Sequence, residues 1–262
     1  MNVRVWGFMK LEVLLSVMNL DINILNKMNI TSKCIVINQC GENNYRKYKN
    51  FNIYSYDEIG VSNSRNRGLE HISEDIILLC DDDVVYNDNY EKIVLDEFKN
   101  NPKADVILFN VRSLYRKKRV IKKSKRLHIY NSLSFATYNI AFRRKSVENI
   151  RFNILFGPGA KYNSGEDSLF IRDLFKNKLN VFCSPLYLGI VYNKTSTWFK
   201  GYNELYFFNK GALFTAINRK IRYLLMLQYL LRHKEVLVDF NFFEAYIIML
   251  KGSINYLEEC NE

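Results

Sequence analysis

Three consecutive carboxylates, Asp81-Asp82-Asp83, close the apolar run Ile76-Ile-Leu-Leu-Cys80. Five apolar residues bounded by polar ones read as a short strand buried on both faces. Side chains alternate in extended backbone, so Asp81 and Asp83 are expected on one side of the strand tip. Two such charges about 6 Å apart repel by roughly 3 kcal/mol at an effective dielectric of 20. A divalent cation turns that repulsion into attraction. Hard oxygen ligands at a strand end suit Mg2+ or Mn2+, which keep positions open for phosphate oxygens. The competing reading is structural: an acidic turn after a strand, or an Asp cap on the next helix.

A second acidic pair, Glu166-Asp167, follows the glycine-rich loop that begins Phe156-Gly-Pro-Gly-Ala160 and leads into a helix with Leu169, Phe170, Leu174 and Phe175 at its apolar positions. A structural account fits well: Ser164 as N-cap with Asp167 three residues on is a variant capping box, and acids favour a helix start. The chemical account is that a carboxylate presented at the end of a flexible loop can take a proton from a hydroxyl. Ahead of both acidic groups lies Gly60-Val-Ser-Asn-Ser-Arg-Asn-Arg-Gly-Leu69, read as a helix capped by Ser62 or Ser64. Arg65 and Arg67 fall in its first turns, where cations oppose the helix dipole. That placement suits a site meant for an anion or a base edge, and surface arginines are the alternative.

These residues need a frame. Strands are expected at 11–17, 34–37, 52–56, 76–80 and 106–109, with helices at 23–28, 62–72 and 90–100, the last stopped by Pro102. Residues 135–142 read as an apolar strand that closes the sheet, and 184–185 and 191–198 as loops. This order argues an α/β fold: an open sheet flanked by helices, with ligands at the carboxyl ends of the strands, where the Asp triplet falls. From 205 onward the chain reads as helical, aromatic and basic, with Ile247, Leu250, Ile254 and Leu257 as the helix face turned to the main body. The expected division is a domain over 1–200 and a helical extension over 201–262.

At 262 residues with 48% hydrophobic content the chain can bury a large core. A formal net charge of +11 favours acidic partners. Eight of the eleven residues from 116 to 126 are basic, which reads as a solvated hairpin or as contact with a phosphate-rich acceptor or a membrane surface. Nucleic acid is not expected, because that run lacks stacking aromatics and no nucleic-acid motif is present. The basic and aromatic mixture of 205–234 also fits peripheral membrane contact, or core helices with basic outer faces. Five scattered cysteines without a C-x-x-C pair argue against a disulfide framework or zinc. Arg4, Lys10 and Glu12 interrupt any signal-like apolar start, and no stretch is long enough to span a bilayer. The expected location is the cytoplasm, either free or at the inner face of the cell membrane.

The ordered set resembles family 2 glycosyltransferases of the GT-A fold. It comprises Val13-Leu-Leu-Ser-Val-Met-Asn19, the Gly60–Leu69 segment, the Asp81-Asp82-Asp83 tip and Gly165-Glu166-Asp167, and it covers about residues 10–200. Phe156-Gly-Pro-Gly-Ala160, Ser196-Thr-Trp198 and Lys210-Gly-Ala212 look like a subset from bacterial capsule and surface-polysaccharide synthesis. The resemblance implies a nucleotide-sugar donor and inverting transfer to a hydroxyl of a glycan or lipid-linked acceptor. It further implies that Asp81 approaches the ribose or uracil, that Asp82 and Asp83 hold Mn2+ or Mg2+ against the donor diphosphate, and that Arg65 contacts the nucleotide. Asp167 would be the base, with Glu166 orienting it or the acceptor. Two positions depart from the family pattern. Asn38-Gln39 stand where an Asp commonly reads the base, and amides there still suit a uracil edge. No His stands at 192–194, where Lys194 offers charge instead. The rival functions are a metal-dependent nucleotidyltransferase, which releases pyrophosphate, and a non-catalytic nucleotide- or glycan-binding protein on the same fold.

Overall fold

The most hydrophobic segments stack side by side as one mixed sheet. The computed structural model describes residues 9–115, 119–192 and 199–261. In chain order the elements are β1 (Leu11–Met18), α1 (Ile22–Lys27), β2 (Lys33–Gln39), β3 (Asn44–Tyr48), β4 (Phe51–Tyr56), α2 (Val61–His71), β5 (Ile76–Asp81), β6 (Val84–Tyr86) and α3 (Tyr90–Asn100). Then follow β7 (Val106–Ser113), β8 (Lys125–Arg126), β9 (Ile140–Arg143), α4 (Arg144–Val147), α5 (Glu166–Lys176), β10 (Val181–Val191), α6 (Glu204–Ile217), α7 (Arg222–Arg232) and α8 (Phe242–Glu259). The sheet order is β3-β4-β2-β1-β5-β9-β7-β10-β6, with β8 paired to β10. β4, β2, β1 and β5 run parallel; β9 enters antiparallel between β5 and β7.

Both faces of the sheet are covered, which is why its inner strands are apolar without alternation. Val13, Leu15 and Val17 of β1 point into one core with Leu25 of α1 and Tyr90, Val94 and Phe98 of α3. Leu14 points the other way, into a core with Phe170, Ile171 and Leu174 of α5. The parallel register brings the carboxyl ends of three strands level: Ser16 of β1 lies opposite both Asp81 of β5 and Ile37 of β2. The acidic tip therefore stands at the ligand-binding edge of an α/β sheet.

Several local expectations need correction. Asp82 and Asp83 form the turn between β5 and β6, so strand alternation stops at Asp81 and cannot be used to pair it with Asp83. Residues 135–142 are not one strand, and β9 lies inside the sheet rather than closing it. Asn139 bonds the Ala136 N–H and the Phe109 carbonyl with its side chain, and 137–139 wind into a 3-10 turn instead. Pro185 lies within β10, where the pairing with β7 shifts register between Cys183 and Tyr187 and the Asn110 amide binds the Pro185 carbonyl. β3 is an exposed edge strand without an apolar signature, and sequence reading did not find it.

The caps also differ. Gly60, not Ser62 or Ser64, caps α2, and Gly165, not Ser164, caps α5. Both serines of α2 are buried inside the helix. The Ser62 hydroxyl donates to the Phe156 carbonyl at 2.7 Å, and the Ser64 hydroxyl donates to that of Ser16 at 3.0 Å.

In the C-terminal helices, α6 and α8 cross so closely that a Cβ on Gly211 would lie 1.8 Å from the Met249 carbonyl oxygen. A Cβ on Gly252 would lie 1.9 Å from that of Phe208. Only small residues permit such an approach, so α8 buries Ala245, Gly252 and Ser253 along with Ile248 and Met249. Ile247 and Ile254, expected to face inward, are exposed as a result. Ala212, Leu213 and Ala216 of α6 complete a core with Phe156, Tyr162 and Leu169, joining these helices to α5 and its loop. Among the described residues no helix is long and apolar enough to cross a membrane.

Candidate active site

Arg65 is the hub. It sits in the second turn of α2, which is pinned at its start by the Val61 N–H to the Pro158 carbonyl. The guanidinium is 5% exposed, lies over the Phe152 ring at 5.4 Å, and meets three carboxylates. Its Nη2 is 2.8 Å from Asp81 Oδ1, and its Nη1 is 3.4 Å from both Glu166 Oε1 and Asp167 Oδ1. One buried cation thus joins the tip of β5 to the start of α5. Burial works against its charge, but Asp81, then Asp167 and Glu166, hold its proton more firmly than usual. The anion expected near Arg65 is, in the folded chain, this set of side chains.

The loop before α5 depends on glycine. Gly157 and Gly165 have φ of 108° and 116°, in the left-handed region, and an added Cβ would lie 2.8 Å from Val61 and 2.5 Å from Leu213 respectively. The resulting turn presents the two acids differently. Glu166 is buried, and its Oε2 accepts from the Gly165 N–H at 3.0 Å. Asp167 keeps 27% of its side chain exposed. Loss of water and then the neighbouring Glu166 charge push its carboxyl well above the usual range, while Arg65 and the Thr137 hydroxyl pull the other way. Such a group holds a proton more tightly than an ordinary aspartate does, which is the property a general base needs.

Both acids line a cavity of about 460 Å3, walled by Phe135 on one side and by Tyr206, Asn209 and Lys210 of α6 on the other. The Lys210 ammonium lies 5.5 Å from the Tyr206 ring centre and 5.7 Å from that of Tyr229. Burial lowers its proton affinity, and Glu166 partly restores it. The Asn209 Oδ1 is buried without a hydrogen-bond partner among the described residues. The residues of α6 were not among those expected from sequence. The only signal was Lys210-Gly-Ala212, where the glycine marks the close crossing with α8.

Asn38 and Gln39 end β2, beside β1. Both are buried with their amides engaged: Asn38 accepts from the Leu20 N–H and donates to Ser55, and Gln39 accepts from the Gly60 N–H at 2.7 Å. They fix the loop after β1 and the start of α2. Asp82 projects to the surface, yet its carboxyl is pushed up, first by partial loss of water in the crowded tip and then by Asp81. Among the described residues no three His, Cys, Asp or Glu side chains gather into a metal cage. Two adjacent carboxylates on a strand-tip turn, Asp82 and Asp83, do suit a hard cation whose other positions are filled by phosphate oxygens and water. Lys194 and Ser196-Thr-Trp198 lie outside the described residues.

Comparison with solved structures gives the same architecture. S. aureus TarS 1-349 superposes with a TM-score of 0.65 at 15% identity, covering 96% of this chain and 82% of that one. The same TarS fragment in complex with UDP-GlcNAc also gives 0.65 at 15%, covering 96% and 80%. The longer TarS chain gives 0.59, and 44% of its length is covered. Mannosyltransferase PcManGT from Pyrobaculum calidifontis, in complex with GDP-Man and Mn2+, gives 0.54 at 9% identity, covering 97% and 88%. These similarities establish the GT-A fold. No curated protein matches the chain in sequence. The model of the family described as Glycosyl transferase family 2 matches residues 38–177, more than half of the chain, and the protein is therefore a member of that family.

Proposed function

We propose that the chain transfers a sugar from a nucleotide-sugar donor, with UDP as its nucleotide, to a hydroxyl of a glycan or lipid-linked acceptor, inverting the anomeric centre. The setting we assign is bacterial surface-polysaccharide synthesis on the cytoplasmic side of the membrane. The observation that carries this reading is the Arg65 hub, which ties the acidic tip of β5 to the base candidate at α5, itself on the wall of the cavity.

In this reading Asp167 takes the proton from the acceptor hydroxyl. The oxygen attacks the anomeric carbon as the bond to the donor diphosphate breaks, and the nucleoside diphosphate leaves. Glu166, buried and held by Arg65 and the Gly165 N–H, orients Asp167. Arg65 serves the nucleotide through Asp81, which faces the ribose or base. Asn38 and Gln39 back the nucleotide by fixing the loops around it. Asp82 and Asp83 would hold Mn2+ or Mg2+, which supplies positive charge to the leaving diphosphate. The cavity between Phe135 and α6 takes the acceptor, its aromatic walls suited to sugar faces and its amide and ammonium to hydroxyl groups. The core over 1–200 forms the catalytic domain and 201–262 supplies the acceptor wall.

The test is a thermal-shift screen of nucleotide sugars with and without Mn2+. One UDP-sugar should stabilise the chain in the presence of metal, by about 2.7 kcal/mol at a hundredfold excess over Kd. Incubation with acceptor should then release nucleoside diphosphate. Release of pyrophosphate would establish the nucleotidyltransferase instead, and binding without turnover the binding protein.

A further inference from the structure

The amphipathic helix α7 is built with two apolar faces. Met226 and Leu230 are buried against α6 and α8. Leu224, Leu227 and Leu231 fall within about 60° of one another on an outward face turned roughly 110° from that pair, at 100° per residue. They stand in solvent, with Leu224 61% and Leu231 56% exposed. A helix of ordinary surface character carries polar residues on that face.

The charges that flank the face along the chain are basic as far as Lys234, and the first acid after them, Glu235, is paired with His233. Arg219 and Lys220 are exposed just before the helix, Arg222 opens it, and Arg232 and Lys234 follow at its end. No Asp or Glu occurs between 205 and 234. The first turn has no acid, so the three cations there oppose the helix dipole without compensation from that turn. Tyr223, half exposed, stacks its ring under the Arg222 guanidinium at 4.2 Å and places its hydroxyl at the rim. An aromatic with one apolar and one polar end suits a membrane interface.

We infer that the outer face of α7 docks on an anionic phospholipid surface, leucines into the acyl boundary and the flanking cations on the headgroup phosphates. Charge complementarity selects this occupant over a second copy of the chain. A two-fold contact through the same face would bring two sets of like charges together without acids from this segment to offset them. The helix is about 16 Å long and lies along its support, so it is a surface contact and not a crossing. Tyr229, on the inner side of α7, bonds Tyr206 at the cavity wall. Docking therefore holds the cavity one helix away from the lipid. The inference does not rest on the sugar-transfer reading, and its test uses no turnover.

The experiment is co-sedimentation of the whole chain with phosphatidylcholine vesicles, with and without phosphatidylglycerol, at low and high salt. Binding should require the anionic lipid and weaken with salt. Combined Leu224→Gln, Leu227→Gln and Leu231→Gln should reduce it by about tenfold or more with the melting temperature unchanged, since these side chains are exposed. Arg219→Glu with Lys220→Glu should abolish the preference for anionic lipid, and keeps the test decisive if the leucine variant misfolds. Absence of vesicle binding, or binding unchanged in both variants, overturns the inference. So does a solution dimer that the leucine substitutions convert to monomer.

Discussion

Replacing Arg65 by Met keeps the volume of the hub and removes its charge. At an effective dielectric of 20, ion pairs at 2.8, 3.4 and 3.4 Å are worth about 6, 5 and 5 kcal/mol of gross attraction. Repulsion among the carboxylates and the lost hydration of the guanidinium cancel much of this. Breaking such a buried set by removing one partner costs about 3–5 kcal/mol, a large part of the 5–15 kcal/mol that typically holds a domain. The cost should depend on pH. In the variant the cluster relieves its repulsion by taking up protons at higher pH than the unfolded chain does. Stability from that protonation is complete below the ordinary carboxylate range and is lost as pH rises through the raised folded values. The gap between wild type and Arg65→Met should therefore be smaller at about pH 4 than at about pH 8. Urea unfolding at the two pH values measures it. A loss under 1 kcal/mol, or one that is the same at both, would refute the view that Arg65 neutralises this cluster. Arg65→Lys should recover only part, because a point charge cannot serve three carboxylates as a planar fork does.

Asp167→Asn should lower transfer by about 10^2–10^4-fold while donor binding, read by thermal shift, is retained. The same substitution should raise the melting temperature at neutral pH, because a carboxyl pushed up by burial destabilises the fold once ionised; an unchanged or lower value counts against that burial. Transfer by the wild type should rise with pH through a range above that of ordinary carboxylates, and Glu166→Gln should move this limb down by removing the neighbouring charge. Asp82→Asn combined with Asp83→Asn should remove Mn2+-dependent stabilisation by the donor, measured by titration of the metal. Gly252→Val should destabilise the chain by about 1–3 kcal/mol or more in thermal unfolding, since its side chain meets the Phe208 carbonyl.

Much of this was legible in the chain. Runs such as 34–37 and 76–80 are apolar throughout because both faces of the sheet are covered, and α3 was readable to its ends from Ile93, Val94, Glu97 and Phe98 and the stop at Pro102. What failed was set by distant partners. Ser62 and Ser64 look like caps but bond Phe156 and Ser16 across the fold. The inward face of α8 could not be chosen without knowing that Gly252 meets α6. At the site, the acidic groups announced themselves by type and spacing. That Arg65 would join them, across a separation of 102 residues to Asp167, could not be read from spacing. The α6 wall of the cavity was hidden for a similar reason: Asn209 and Lys210 resemble any helix residues until packing turns them toward α5.

The contact of bare backbones at Gly211 and Gly252 has a consequence for what the cavity can admit. With no side chains between them, any approach of α6 toward α8 meets backbone instead of side chains that could yield. The far wall is thus set at backbone distance from a second helix. A different guest would have to be accommodated by trimming or lengthening the tips at Leu205, Tyr206, Asn209 and Lys210, leaving the helix where it is.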